Sequence, residues 1–235
     1  MERLGEHWYA AEAFIDEALA LSALDVVGLC SHFAASDCEP DFARDQLDRF
    51  LDVLGYMESR GRRPELAHIA NSAALACMPE SRLDMVRPGI LVYGYEPAPG
   101  TRTGVEPVMR LASRISYVKT VRAGARVSYG GTWMAPRDTR VATVPIGYGD
   151  GYSRSLSNRG AVVVGGRRAP IVGRICMDQF MIDLGPDGAE AEGEEVLLFG
   201  ERDGARMPGE ELCTLMDTIP YELTCMVAQR VPRVY

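Results

Sequence analysis

The feature that most constrains the fold is a change of pattern at residues 97–100, Pro-Ala-Pro-Gly. Before it, stretches with apolar residues at helical spacing alternate with short apolar runs, an order typical of parallel strands joined by helices. After it, strand-like stretches follow one another closely, separated by turns rich in glycine, proline and aspartate. We therefore predict two domains, an α/β domain over residues 1–97 and a β-rich domain with a late helix over residues 98–235.

Within the first domain, the apolar spacing predicts three helices and about three strands. The first helix, Tyr9–Ala23, has Phe14, Ala18 and Leu21 as its apolar stripe. The other helices are predicted over residues 40–60 and 73–78. The strands are predicted within residues 24–32, 66–70 and 85–93, the first of them buried on both faces.

Composition excludes several classes of protein. An apolar fraction of 47% supports a substantial core. The net charge of −8 argues against a nucleic-acid surface, which needs concentrated basic residues. No apolar run approaches the ~20 residues that span a bilayer, and the first residues lack the pattern of a secretory signal. The cysteines show no metal-binding spacing, so we predict free thiols, no metal site and a cytoplasmic protein without membrane partners.

Tyr129 is the most conspicuous candidate for chemistry. It follows a strand-like stretch and precedes Gly130 and Gly131, which allow the backbone to turn sharply and present a phenol. From residue type alone, a tyrosine at a strand end is more often a packing group than a catalyst. The pattern by itself leaves both interpretations open.

Several motifs, taken together and in order, are similar to those of a known family. They are Val-Ser-Tyr-Gly-Gly-Thr-Trp at 127–133, Pro-Ile-Gly-Tyr-Gly-Asp-Gly-Tyr at 145–152, Arg-Ile-Cys-Met-Asp-Gln at 174–179, Ser-His-Phe-Ala at 31–34, His-Ile-Ala-Asn-Ser at 68–72 and Val-Arg-Pro-Gly-Ile at 86–90. The chain resembles alanine racemases, which depend on pyridoxal phosphate. The resemblance implies the C-terminal part of a (β/α)8 TIM-like barrel, with about three strands, followed by a β-rich domain.

The resemblance also implies a cofactor-binding lysine early in the barrel. Lys119 is the single lysine of the chain and lies in the predicted β domain. A complete barrel takes ~200 residues or more, so we expect the chain to be the C-terminal portion of such an enzyme. In isolation, we expect it to be inactive.

The catalytic residues implied by the resemblance are Tyr129, as an acid/base group, and three supporting residues. His32 would contact the tyrosine of the other subunit in a homodimer with a shared active site. Arg87 would face the pyridine nitrogen of the cofactor, supported by His68. Because a guanidinium cannot give up a proton near neutral pH, Arg87 would leave the ring a weak electron sink, which favours quick return of the proton.

Cofactor binding is further expected of Ser72, the backbone N–H groups of Gly89 and Ile90, and Arg3. Taken alone, Ser72 is also typical of a helix N-cap, a role that is compatible with phosphate binding. Gln229 stands where the family often has a tyrosine on the phosphate side, and its amide can still donate a hydrogen bond.

Substrate binding is implied for two residues, the backbone N–H of Met177 and the loop residue Asp178. The residues that match a substrate corridor are Asp37, Tyr148, Arg154 and Arg174. Alanine is the expected substrate. A racemase of broader range, acting on serine, and a non-catalytic fragment that only associates with other chains remain alternatives.

Overall fold

A computed structural model describes residues 1–235 and divides them into two compact units, Met1–Glu106 and Pro107–Tyr235. The amino-terminal unit contains three α-helices and two strands. In chain order these are α1 (Ala11–Ala20), β1 (Gly28–Cys30), α2 (Pro40–Ser59), β2 (Leu66–His68) and α3 (Ser72–Cys77), with 3-10 turns at Trp8–Ala10, Pro79–Ser81 and Ile90–Tyr93. β1 and β2 are parallel, with Cys30 opposite His68. The predicted alternation of helix and strand is confirmed for these elements.

The longest helix, α2, follows directly from its sequence. Pro40 occupies the first turn, where its missing N–H costs nothing, and Asp41 suits the positive end of the helix dipole. Its buried residues, Ala43, Leu47, Phe50, Leu54 and Met57, recur every three or four positions. Most of this face joins the core formed with β2 and α3, so the helix packs beside the strand ends that carry the candidate site.

The third predicted strand does not form, and the unit has two strands rather than about three. The segment before Gly89 does run beside β2, since the N–H of Asp84 donates to Ala67 O (3.2 Å) and that of Arg87 to Ala70 O (3.0 Å). Pro88 then offers no N–H, and the Gly89 N–H donates back to Arg87 O (2.9 Å). The chain turns here instead of extending the ladder.

The predicted burial of the first helix and strand is also wrong within this chain. In α1 the buried residues are Ala11 and Ile15, whereas Phe14 and Leu21 are about half exposed. In β1 only the middle residue is partly buried. The helix carries apolar residues on more than one side, so their spacing alone does not select the face that packs.

The carboxy-terminal unit is built on an antiparallel sheet, as the predicted β-rich domain requires. Its strands are β3 (Leu111–Arg114), β4 (Tyr117–Val121), β5 (Arg126–Val127), β6 (Trp133–Met134), β7 (Thr139–Val144), β8 (Ala161–Val164), β9 (Arg167–Val172), β10 (Phe180–Gly185), β11 (Glu195–Arg202) and β12 (Ala205–Met207). The sheet order is β12-β11-β8-β9-β10-β7-β4, with β3 also on β11, while β5 and β6 form a separate hairpin. Two helices follow, α4 (Gly209–Met216) and α5 (Pro220–Met226).

The core of this unit lies around β10 and β11. In β10, buried and half-buried residues alternate, as expected of a strand with one packed face. In β11, Val196–Gly200 is buried throughout, which matches its continuous apolar sequence. The late helix predicted for this domain forms as α4, whereas the sequence patterns predict no helix at α5 and no strands at β5, β6 and β12. None of the helices combines the length and apolarity that crossing a bilayer requires.

Phe199 provides a test of this core, because it is 1% exposed on β11, where it pairs with Leu111. We expect Phe199→Ala to lower the free energy of unfolding by ~3–5 kcal/mol, through lost burial and the cavity left behind. Urea denaturation of the chain measures this. Val108→Ala, at a residue that is 75% exposed, is the control and should change stability by less than ~0.5 kcal/mol. A similar loss in both variants would contradict this placement of the core.

Candidate active site

The first group of candidate residues surrounds the guanidinium of Arg87. Its Nη1 donates to Nδ1 of His68. Its Nη2 lies within hydrogen-bond distance of three acceptors, namely Ser31 O (2.6 Å), His32 Nδ1 (3.3 Å) and Ile69 O (3.3 Å). We call Arg87, His32 and His68 the arginine cluster.

The fold explains why these residues meet. Ser31 and His32 directly follow β1, and His68 ends β2. The carboxyl ends of parallel strands lie at one edge of a sheet, so the two histidines and two free carbonyls converge there. Arg87 reaches the same edge because its own N–H is bonded to Ala70 O (3.0 Å), just beyond β2.

Both histidines of the arginine cluster are held neutral. Burial, followed by the charge of Arg87, lowers the pKa of His68. The pKa of His32 is lowered by burial, then by Arg87 and then by Arg3. Because a guanidinium only donates, each Nδ1 must accept, which leaves the ring proton on Nε2. The effect of Arg3 on His32 also places the charge of Arg3 near the cluster.

Ser72 lies beside the turn that contains Gly89 and Ile90. Asn71, not Ser72, caps α3, since its Oδ1 accepts from Ala74 N (3.0 Å) and from Ser36 Oγ (2.9 Å). The buried Ser72 Oγ instead accepts from the N–H of the next residue in that turn, Leu91 (3.4 Å). The interpretation of Ser72 as an N-cap is therefore wrong, and Asn71, for which no role was predicted, has it.

The second group lies in the carboxy-terminal unit, on the β5–β6 hairpin. Ser128 has φ +65° and ψ −177°, a backbone conformation that residues other than glycine rarely adopt. Gly130 and Gly131 follow with φ +72° and +51°. The three residues make a tight turn that leaves Tyr129 71% exposed. We call residues 128–131 the tyrosine turn.

Arg174 connects the tyrosine turn to the next motif. Ser128 Oγ donates to Arg174 O (2.5 Å), and the guanidinium of Arg174 lies against Gly130, where an added Cβ would meet Nη1 at 3.2 Å. Gly173 is equally constrained, since a Cβ there would lie 2.7 Å from the Cβ of Ser128. These contacts compensate for the unfavourable backbone of Ser128 and fix the orientation of the turn.

The Met177 loop, residues 176–179, lies against the turn that carries Tyr148. Cys176 O accepts from Tyr148 N (3.1 Å), and Met177 O accepts from Gly149 N (2.8 Å). The loop closes through Cys176 N and Gln179 O (2.8 Å). Met177 is 62% exposed, and its N–H takes part in no hydrogen bond of the chain.

The structure brings most predicted site residues into two groups, one in each unit. The charge of Arg3 acts on the arginine cluster through His32, and Arg174, Met177 and Tyr148 lie with the tyrosine turn. Of the other predicted residues, Ser72, Gly89 and Ile90 lie at the turn described above, and Asp178 is an exposed part of the Met177 loop. Asp37, Arg154 and Gln229 are also exposed. Burial raises the pKa of the Cys38 thiol, and the charge of the neighbouring Asp37 raises it further. The Arg154 carbonyl accepts from Ser157 Oγ (2.5 Å).

Two family models match the chain. The alanine racemase N-terminal domain matches residues 1–97, and the alanine racemase C-terminal domain matches residues 108–235. The chain belongs to the alanine racemase family. Members of this family are isomerases that use pyridoxal phosphate on a barrel fold, and the two units described above follow that fold.

Individual members of the alanine racemase family support the assignment. The alanine racemase of Desulforamulus reducens is 45% identical over 227 residues, covering 95% of this chain and 60% of its own length. The solved alanine racemase of Clostridium difficile 630 superposes with a TM-score of 0.92 at 34% identity, over 100% of this chain and 62% of its own. That of Bacillus anthracis, with bound L-Ala-P, has a TM-score of 0.91 at 33% identity, over 100% and 61%. The chain thus spans about 60% of the relatives it matches.

The neutral histidines predict how the stability of the chain depends on pH. An unfolded histidine binds its proton near pH ~6.5, whereas His32 and His68 bind theirs only at lower pH. Between these values the unfolded state holds more protons, so stability is full above pH ~6.5 and falls as the pH drops below it.

Urea midpoints measured from pH 7.5 to 5.5 test this dependence, and we expect the double variant His32→Asn, His68→Asn to flatten it. His7→Asn, at the third histidine, which is exposed, should leave the slope unchanged. An unchanged slope in the double variant would contradict the assignment.

Proposed function

We propose that the protein containing these residues interconverts L- and D-alanine with pyridoxal phosphate. The observation that carries the proposal is the arginine cluster, in which one permanent cation is held between two neutral histidines at the carboxyl edge of β1 and β2. Family membership supports the choice of alanine. We further propose that the D-alanine serves peptidoglycan synthesis in the cytoplasm, and that residues 1–97 form the side of a barrel that holds the cofactor phosphate.

The residues present fit this cofactor. The Ser72 hydroxyl and the Ile90 N–H, which no acceptor in the chain uses, suit phosphate oxygens. The Gly89 N–H is less suitable, since it donates to Arg87 O (2.9 Å). Arg87 would face the ring nitrogen, and Arg3, whose charge helps to lower the pKa of His32, would also contribute to cofactor binding. When bound, pyridoxal phosphate supplies a ring that withdraws electrons and so makes the Cα–H of alanine more acidic.

Arg87 would control how far this activation goes. A guanidinium donates hydrogen bonds but keeps its protons near neutral pH, and both histidines around it accept rather than donate at Nδ1. No group in the cluster therefore offers a proton to the ring nitrogen, as a carboxylic acid would. This arrangement favours rapid return of a proton to Cα over slower side reactions.

Tyr129 would move the proton at Cα on one face of the substrate. A free phenol has a pKa near ~10 and is a weak base at neutral pH, so it needs a hydrogen-bonding neighbour. We propose a homodimer in which Tyr129 of one subunit meets His32 of the partner subunit. The 71% exposure of Tyr129 in the single chain supports a side chain that meets a second molecule.

The remaining predicted residues would bind and guide the substrate. The free N–H of Met177 would receive the carboxylate of alanine, and Asp178 would shape the loop. Asp37, Tyr148, Arg154 and Arg174 would line a polar corridor. Arg174 is the best supported of these, because it contacts the tyrosine turn.

The lysine that holds the cofactor would come from outside these 235 residues. Lys119 is exposed on β4, opposite Val141 of β7, within the antiparallel sheet. Its exposed position on the sheet does not enclose a cofactor. The proposed activity therefore belongs to a longer protein that includes this chain.

A chimera tests the proposed function. Residues 1–235 replace the matching part of the Desulforamulus reducens relative, and interconversion of the alanine enantiomers is measured with pyridoxal phosphate. We expect the chimera to racemise alanine and the 235-residue chain alone to be inactive. A folded, dimeric chimera without racemase activity would overturn the proposal. A comparison of alanine with serine as substrate separates an alanine racemase from one of broader range.

Tyr129→Ala in the same chimera tests the one-sided role of the phenol. We expect exchange of the Cα proton of L-alanine with solvent deuterium to fall by ~100-fold or more, the typical contribution of a positioned acid/base group. Exchange from D-alanine should fall much less, because the other face has its own base. Tyr117→Ala, at another exposed tyrosine of the same unit, is the control. Equal losses from both enantiomers would count against the assignment.

A further inference from the structure

The carboxy-terminal unit contains a buried carboxylate that has no part in the proposed chemistry. Asp150 is 7% exposed. One of its oxygens accepts from the Gly147 N–H (2.9 Å), and the other is paired with Nε of Arg230 (2.7 Å). Burying an ionised group is costly unless both oxygens are satisfied. A role in solubility, which is common for surface charges, does not account for this buried carboxylate.

The position of Asp150 suggests one. Its bond to Gly147 N closes the short turn of residues 147–151, and the two N–H groups inside that turn, those of Tyr148 and Gly149, hold the carbonyls of Cys176 and Met177. Asp150 thus fixes the turn that in turn fixes the Met177 loop.

The geometry of a single peptide unit makes this control direct. Cys176 O and Met177 N belong to the same planar peptide, in which C=O and N–H point in opposite directions. When Tyr148 N holds Cys176 O (3.1 Å), it also directs the Met177 N–H away from the turn. That N–H is the group to which we assigned the substrate carboxylate.

The turn at 147–151 and the Met177 loop are in close contact. A Cβ on Gly147 would lie 2.3 Å from Cys176 O, and one on Gly149 would lie 3.0 Å from Met177 O. The backbones are therefore in direct contact, and a small rotation of the turn moves the loop.

The chain terminus holds the other side of Asp150. Besides the Arg230 pair, the Asp150 carbonyl accepts from Ala228 N (2.9 Å), and a Cβ on Gly151 would lie 2.0 Å from Met226 O. Arg233 keeps this tail compact by donating to the carbonyls of Val227, Ala228 and Val231 (2.6–2.8 Å). Arg230 thus belongs to a segment that is held by several hydrogen bonds.

We propose that Asp150, held by Arg230, is a positioning residue that directs the Met177 N–H toward the substrate carboxylate. This inference rests on the proposed function. Asp150 touches neither substrate nor cofactor, and its effect passes through the turn at 147–151. Loss of its charge should therefore weaken carboxylate binding more than proton transfer at Cα.

Kinetics of the chimera provide the first test. We expect Asp150→Asn and Arg230→Gln each to raise KM for alanine by about tenfold, the usual cost of weakening a hydrogen bond that involves a charged group, while kcat changes by less than about threefold. The inhibition constant of propionate, which carries the carboxylate without the amino group, should rise in parallel. Arg230→Lys should restore part of the loss. Asp138→Asn is the matched control, because that carboxylate also accepts a backbone N–H, from Ala123 (2.8 Å), in another turn.

Amide hydrogen exchange of the 235-residue chain provides the second test, which does not depend on activity. We expect exchange at Tyr148 and Gly149 to become at least about tenfold faster in Asp150→Asn and faster in Arg230→Gln. Amides of β7 should stay protected in both, which shows that the fold is intact. Asp138→Asn should leave Tyr148 and Gly149 unchanged.

The two tests separate the failure of this inference from that of the proposed function. An inactive parent chimera would overturn the proposed racemase, and the exchange rates would then decide whether Asp150 orders the turn. An active parent with unchanged KM in Asp150→Asn, with equal falls of kcat and kcat/KM, or with unchanged exchange at Tyr148 and Gly149, would overturn the positioning role.

Discussion

The arrangement of the candidate site in the amino-terminal unit depends on one constraint, which is that the guanidinium of Arg87 needs hydrogen-bond acceptors. Arg87 can only donate, and its partners are carbonyls and imidazole nitrogens supplied by two segments that leave neighbouring strands. The parallel pairing of β1 and β2 brings those segments together, and the packing of α2 and α3 against β2 keeps them there. Removing the charge would leave several acceptors facing one another without a donor, which is costly in a partly buried site.

In the carboxy-terminal unit the main constraint is different, because an exposed side chain has to keep a fixed orientation. Loops are usually more mobile than the elements they connect, but here Ser128 adopts a rare conformation that is held by a hydrogen bond to Arg174 O and by close contact with Gly173. The antiparallel sheet supplies the support on which these loops lie. Unfavourable local geometry is therefore maintained by contacts between segments far apart in sequence.

Sequence patterns predicted the elements whose signal is local. The amphipathic period and proline start of α2 identify it directly, and alternation with turn residues identifies most strands of the sheet. The third strand of the first unit was predicted from an apolar run, but Pro88 interrupts its hydrogen bonding. In α1 the apolar residues offer more than one face, and tertiary packing selects Ile15 over Phe14. The residue types of the candidate site were visible in short motifs. Their partners were not, since Arg87 binds main-chain carbonyls and Asp150 acts through backbone groups that have no signature in the side-chain sequence.

The tautomers of the two histidines have a consequence for the electrostatics of the cluster. Each imidazole accepts from a cation at Nδ1, which draws electron density from the ring and makes the opposite Nε2–H a stronger donor than in free histidine. The charge of Arg87 therefore strengthens two N–H donors, one on each ring, although neither ring carries an additional proton. An anionic oxygen placed near either ring would meet a polarised N–H rather than a full imidazolium. Since burial and the charge of Arg87 lower the pKa of both histidines, the rings stay neutral at physiological pH, and this attraction does not depend on a histidine gaining or losing a proton there.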